Sequence, residues 1–203
     1  MTITATENSI FQYPPSEPIA IIKRWLDEAK EHNVLQPGAM ALTTVSSSGK
    51  PSSRIVQLFE FRGNDIVFAT HTTSQKAKDI QDTGVVSGIF YFRETKQQII
   101  FSGTVQKLPS ERSDEIWDKF PNQTYPMSVA SRQSVILEDE EALRQYAIVL
   151  TDSAASLSRP QTWCGYSITM DNIEFWQATN DRLHLRLCYR KNEDNWVNFR
   201  LQP

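Results

Sequence analysis

Cysteine is scarce in this chain: 203 residues contain two, Cys164 and Cys188. Two are too few for a disulfide scaffold and neither stands at metal-ligand spacing, so both read as buried free thiols in a reducing cytosol. Histidine is also sparse. His32 and His71 stand alone, without metal spacing, and no metal site is expected. No stretch approaches the ~20 apolar residues that span a bilayer. The opening MTITATENSIFQYPPSEP lacks a basic start followed by an apolar run, so no leader is read there and a cytoplasmic protein without a membrane partner is expected. Net charge is −3, so no overall basic field favours nucleic acid. There is no Gly-x-Gly-x-x-Gly, no phosphate-binding loop, no nucleophile elbow and no zinc motif. Dinucleotide folds, P-loop enzymes and common hydrolases therefore leave the front rank.

What is present is a globular balance, 39% hydrophobic and 22% charged. Residues 1–15 are polar, proline-bearing and without period, and read as a flexible arm; 16–203 read as a single domain. Ser16 is placed to cap a helix with Pro18 in its first turn. Ile19, Ile22, Trp25, Leu26 and Ala29 then form one apolar stripe, which predicts a helix lying across a sheet and ending near His32. From Ala39 the rhythm shortens to β-rich runs: Met40–Val45, Ser53–Phe61, Ile66–Thr70, Val85–Phe92 and Gln98–Gln106. Ser74–Ile80 reads as a short helix opened by a serine. Residues 110–151 turn helical, with Leu143, Ala147 and Leu150 on one face, and Ser153–Gln161 loops back. A second β block follows: Gly165–Met170, Ile173–Gln177, Leu183–Arg190 and Trp196–Leu201. Strands this closely spaced argue for an antiparallel barrel with flanking helices, mainly β with α.

Three constellations carry chemistry. Arg54 in a strand, with Ser74-Gln75-Lys76 at a helix start, combines two cations, a hydroxyl and free backbone N–H groups, the parts of a phosphate cradle. In Asp181-Arg182-Leu183-His184-Leu185-Arg186, strand alternation puts Arg182, His184 and Arg186 on one face. Three such groups repel unless an anion or an acidic partner neutralises them. Gln98 and Gln133-Ser134 supply neutral amides suited to a ring edge that both donates and accepts. Each has a plainer reading: a surface arginine with a routine helix cap, a solvated strand, and ordinary loop glutamines.

In order and at compatible spacing, these residues resemble the pyridoxamine 5′-phosphate oxidase family. The resemblance rests on Arg54-Ile55-Val56, Ser74-Gln75-Lys76-Ala77, Gln98, Gln133-Ser134, Ile173-Glu174-Phe175-Trp176, Arg182-Leu183-His184, Arg186 and the ending Arg200-Leu201-Gln202-Pro203, and runs from about Pro18 to Pro203. It implies a split β-barrel homodimer with FMN at the subunit interface. It assigns Arg54, Ile55, Val56, Thr70, Ser74, Gln75 and Lys76 to the cofactor on one subunit, with Gln98 at the flavin ring edge. Gln133, Ser134, Trp176 and Arg186 would reach in from the partner. Arg182 and His184 would face the substrate.

The departures concern substrate. Where the vitamin B6 enzymes carry a lysine, five residues after the flavin-binding arginine, this chain has Phe59. Their tyrosine, arginine and serine of the substrate-phosphate clamp fall on Ile116, Phe120 and Thr124. Each lost charge-assisted bond is worth ~1.5–3 kcal/mol, so two losses weaken phosphate binding more than about a hundredfold. Ala69 and Gln75 replace a tyrosine and an arginine on the flavin side. A site walled by Phe59 and Phe120 suits a flat polycycle, with Arg182 pairing a carboxylate. That description resembles the family's phenazine-biosynthesis oxidases, which dehydrogenate partly reduced phenazine carboxylic acids. The implied chemistry is hydride transfer to the flavin, with molecular oxygen as final acceptor and His184 as a possible proton acceptor or positioning group. The alternatives are a vitamin B6 oxidase with a rebuilt phosphate site and a flavin-binding protein without catalysis.

Overall fold

A computed structural model describes residues 9–152, 157–193 and 195–203. Its centre is one antiparallel nine-stranded sheet. The strands are β1 (Ala39–Val45), β2 (Pro51–Gln57), β3 (Glu60–Arg62), β4 (Asp65–His71), β5 (Val85–Phe92), β6 (Gln97–Lys107), β7 (Trp163–Gln177), β8 (Leu185–Asn192) and β9 (Asn195–Arg200). Along the main path the order is β2-β1-β5-β6-β7-β4-β3, and β8 and β9 leave it through β7. The helices are α1 (Ser9–Gln12), α2 (Ile19–Glu31), α3 (Gln75–Thr83), α4 (Ser110–Lys119), α5 (Tyr125–Ala130) and α6 (Glu140–Asp152).

β7 splits the barrel. Two runs were expected over 165–177, but one 15-residue strand forms. Its first half pairs β4, from His71↔Trp163 to Ile66↔Ile168, and its second half pairs β8, from Gln177↔Leu185 to Asn172↔Arg190. β6 follows it along both halves, with a register shift at Ser102/Gly103 where the two sets part. Only glycine fits there, because a Cβ on Gly103 would run into the Thr169 carbonyl.

α2 lies across the inner face as its stripe requires. Ile22, Trp25, Leu26 and Ala29 are buried, and the Trp25 ring meets Phe175 edge-on at 5.3 Å. Burial of each large apolar chain contributes about 1.5–3 kcal/mol. Its start differs from expectation: Pro18 occupies the cap position and Ser16 makes no cap bond. The proposed arm of 1–15 is described from Ser9 onward, and there it packs. Ile10 and Phe11 are buried, Arg200 donates to the Phe11 carbonyl at 3.1 Å, and Tyr189 donates to the Pro15 carbonyl at 2.8 Å. Two apolar side chains among polar ones suffice to dock it. Residues 1–8, the rest of that arm, and 153–156 of the expected polar loop lie outside the described residues.

A second aromatic core lies between β4, β7 and the helical segment. Trp117, Trp163 and Tyr125 are buried there, with Phe59 and Phe120 against them. Among the described residues no helix is long and apolar enough to cross a membrane.

Candidate functional site

Four elements converge on a cavity of about 400 Å³. Strand β2 supplies Arg54, Ile55, Val56 and Gln57; the end of β4 supplies Ala69 and Thr70; the start of α3 supplies Gln75 and Lys76. Phe120, Gln133 and Ser134 close it from the helical segment. Ser74 starts α3 by accepting from the Ala77 N–H at 3.4 Å. Gly84, at φ 66°, ends it in the left-handed conformation that glycine adopts freely.

The donors converge. Lys76 Nζ donates to Gln133 Oε1 and to Thr70 Oγ1, both at 3.1 Å, and Thr70 Oγ1 donates to the same Gln133 oxygen at 2.8 Å. Gln133 thus presents to an ammonium and a hydroxyl the kind of acceptor that a phosphate oxygen supplies. Ser134, at φ 71°, accepts from the first N–H of α3 at 3.2 Å. Burial, and next the charge of Arg54, push Lys76 down to about 8. Burial and then Lys76 also depress His71. A cationic pocket that lowers its own lysine is one that an anion would relieve. This donor set fits a flavin carrying a phosphate.

Arg54 is held rigidly. Its guanidinium donates to Leu42 O at 3.2 Å, Thr44 Oγ1 at 2.8 Å and Ser52 Oγ at 2.6 Å. Beneath it lies Asp79, 2% exposed. Burial works to raise the Asp79 pKa, but bonds from Thr44, Gln75 and Ser52 and the charge of Arg54 outweigh it and hold the carboxyl below its ordinary value. Sequence reading missed Asp79, although it stands one helical turn after Gln75. The Gln75 amide donates to Asp79 at 2.8 Å, so it is this residue's backbone that joins the cradle through Ser134. Ser74 is fully buried and works as a cap.

Phe120 lines the cavity and stacks on Phe59 at 5.9 Å, planes 20° apart, with Trp163 against its edge at 5.3 Å. Ile116 is buried in the same cluster, and Thr124 donates to Pro121 O at 2.7 Å. Of the four positions, Phe59, Ile116 and Phe120 belong to one apolar cluster, while Thr124 spends its hydroxyl on the backbone.

Two expectations need correction. Gln133 and Ser134, expected from a partner subunit, belong to the same chain's cavity. Arg182 and His184 do not share a strand face with Arg186, because β8 begins only at Leu185. They sit in a tight loop. Asp181 Oδ1 accepts from Thr179 Oγ1 at 2.6 Å and Leu183 N at 3.1 Å, and Arg182 has φ 65°. Arg186 has the acidic partner that was one of the two expected means of neutralising it: Glu174, with bonds of 2.6 and 2.9 Å, and a third bond goes to Gln202 O at 2.9 Å. The side-chain bonds to Glu174, followed by its charge, raise the Arg186 pKa even though burial opposes them. Glu174 was visible in the sequence as a carboxylate two residues before Trp176, but strand pairing was needed to see its target.

Gln98, Trp176 and Arg186 stand side by side across β6, β7 and β8. With His184, whose ring centroid is 4.8 Å from that of Trp176, they form a second group outside the cavity of Arg54 and Lys76. His184 Nδ1 accepts from Thr179 N–H at 3.2 Å. A neutral His184 therefore carries its proton on Nε2 and presents a donor, not a base.

The pyridoxamine 5′-phosphate oxidase family model matches residues 26–148, and the model of the pyridoxine 5′-phosphate oxidase C-terminal dimerisation region matches 163–203. The dihydrophenazinedicarboxylate synthase of Pseudomonas chlororaphis is 39% identical over 95% of this chain and 87% of its own. That of Burkholderia lata is 41% identical over 94% and 90%. A crystal structure of PhzG from Burkholderia lata 383, in complex with tetrahydrophenazine-1-carboxylic acid, superposes with a TM-score of 0.93 at 40% identity, covering 96% of each chain.

Proposed function

Because the chain belongs to the pyridoxamine 5′-phosphate oxidase family, we propose that it is an FMN-dependent oxidase that dehydrogenates a partly reduced phenazine carboxylic acid and passes the electrons to oxygen. The observation that carries this reading is the Phe120 ring in the same cavity as the cationic cradle, with Phe59, which is not part of that cavity's lining, stacked on it. The chain keeps the grip for one phosphate and lacks the grip for a second. A flavin phosphate fills the first, and a flat ring system suits the second.

The residues divide the work. Arg54, Lys76, Thr70 and Ser134 hold the phosphate, with Ile55 and Val56 flanking it. Gln98 meets the flavin ring edge, and Trp176 and Arg186 approach the ring from the partner protomer. The dimerisation region at 163–203 contains Trp176 and Arg186, which supports their arrival in trans. The Arg182 guanidinium makes no hydrogen bond or ion pair among the described residues, and it pairs the substrate carboxylate. His184 donates through Nε2 and positions the substrate. A flavin held by these residues would supply the redox chemistry, taking a hydride from the substrate and giving two electrons to oxygen to form peroxide. Rearomatisation of the substrate supplies the driving force, so positioning by these side chains suffices without a strong base. The two cysteines are buried free thiols, in keeping with the reducing cytosol proposed as its location.

The test is anaerobic mixing of the flavin-loaded protein with a dihydrophenazine carboxylate. Loss of the oxidised-flavin absorbance, and its return with peroxide on admitting oxygen, is expected. An unchanged spectrum, or equal turnover of pyridoxamine phosphate, would sink the reading.

A further inference from the structure

The cradle rests on a hydrogen-bonded floor that ends in one buried carboxylate. Arg54 donates to Thr44 Oγ1 at 2.8 Å and Ser52 Oγ at 2.6 Å. Those two hydroxyls stand 2.6 and 3.2 Å from Asp79 Oδ2. A guanidinium only donates and an ionised carboxylate only accepts. Both hydroxyls must therefore turn their hydrogens toward Asp79 and their lone pairs toward Arg54. The direction of every bond in the relay is fixed by its two ends. The other carboxylate oxygen, Oδ1, takes the Gln75 amide at 2.8 Å. Thr44 is fully buried, so bulk water has no access to take its place.

We propose that Asp79 is a positioning residue for the phosphate grip, fixing Arg54 through Thr44 and Ser52 and turning the Gln75 amide away from the cavity. It touches neither the phosphate nor the ring. Two consequences oppose each other. The carboxylate pins Arg54 in one rotamer, so little side-chain freedom remains to be lost on binding. It also offsets one of the cradle's two cations, Arg54 and Lys76. Orientation wins here, because the hydroxyls separate the carboxylate from the cavity while the guanidinium faces both. The inference rests on the reading that Arg54 and Lys76 hold the flavin phosphate.

The experiment titrates the full chain, stripped of flavin, with FMN and with riboflavin, which has the same ring and no phosphate. Wild type should prefer FMN. Asp79→Ala should lose about tenfold or more in FMN affinity, as for other supports of a ligand-binding group, with riboflavin affinity unchanged. Asp79→Asn keeps an acceptor toward the two hydroxyls while the Gln75 amide turns over, and it should restore most of the loss. An Asp79→Ala protein that keeps the wild-type preference for FMN, or that loses both ligands equally, overturns the inference. A wild type with no preference overturns the phosphate reading and the inference with it. Should Asp79→Ala not fold, Thr44→Val with Ser52→Ala cuts the same relay from its other end, and an undiminished preference for FMN there is equally fatal.

Discussion

Phe59 and Phe120 lie 61 positions apart in the chain yet stack at 5.9 Å, their planes 20° from parallel. Trp163 meets the edge of Phe120 and Trp117 meets Trp163 at 5.0 Å, so the pair is backed by further rings and cannot fold away. Neither ring offers a phosphate a hydrogen-bond donor. Replacing the pair, Phe59→Lys with Phe120→Arg, should restore two charge-assisted bonds of about 1.5–3 kcal/mol each. The double variant should bind pyridoxal phosphate at least tenfold more tightly than wild type and turn over the phenazine substrate more slowly. Equilibrium titration of both ligands checks it, and unchanged affinity for the phosphate would remove this pair from the account of specificity.

Lys76 gives the second prediction, in pH. Burial and Arg54 hold it at about 8, and a bound phosphate dianion would raise it. Below 8 the ammonium is present before and after binding, so affinity is level down to about pH 6, where the phosphate itself takes up a proton. Above 8 binding must pull a proton back onto Lys76, and FMN affinity should fall, approaching tenfold per pH unit. Lys76→Met should be weaker at pH 7 by about tenfold or more and should lack the fall above 8. A wild-type affinity that is flat from pH 7 to 10 would refute this.

The barrel, and the meeting of Arg54 with the start of α3 in one cavity, were legible in the sequence, the first from short alternating spacings and the second from a serine-opened helix that carries Lys76. Val85–Phe92 alternates between core and surface and forms as predicted, and Ser74 caps the helix it was expected to open. What could not be read is what depends on long-range pairing. Glu174 finds Arg186 because β7 and β8 lie in register, and Gln133 reaches Lys76 across 57 residues. The Arg182–His184 segment misled because alternation at 182, 184 and 186 is equally compatible with a strand and with the turn that precedes one. Asp181 decided it by closing the loop on Thr179 and Leu183.

That register makes the third prediction one of stability. Arg186 and Glu174 form a fork-to-fork pair, with the Glu174 side chain 12% exposed. Arg186→Ala would leave the carboxylate with little solvent and no partner, at a cost of about 1–3 kcal/mol in denaturant unfolding. It would also release the Gln202 carbonyl and loosen the chain's end. Glu174→Gln in the same protein should recover part of the loss, since a neutral amide tolerates the site better. A double variant no more stable than Arg186→Ala would show that packing, not charge, sets the cost.

Gln75 carries the last prediction, because it marks where this cradle is weaker than its relatives' pattern implies. The resemblance places an arginine there, and the glutamine spends its amide on Asp79 at 2.8 Å. Gln75→Arg would set a guanidinium beside that carboxylate and at the mouth of the cavity, where Arg54 and Lys76 already concentrate positive charge. The new cation should be tolerated because Asp79 offsets it, and a dianion at the mouth gains a third partner. FMN should bind about tenfold more tightly, with a steeper loss of affinity as salt rises, since one more charge pair is being screened. Riboflavin should bind as before. Lys76 should fall below its present value of about 8 in the flavin-free protein, because a second neighbouring cation adds to the repulsion from Arg54. The affinity limb above neutrality would then begin at lower pH than in wild type. Tighter FMN binding without that displacement would mean that the arginine points to solvent and acts only through the long-range field.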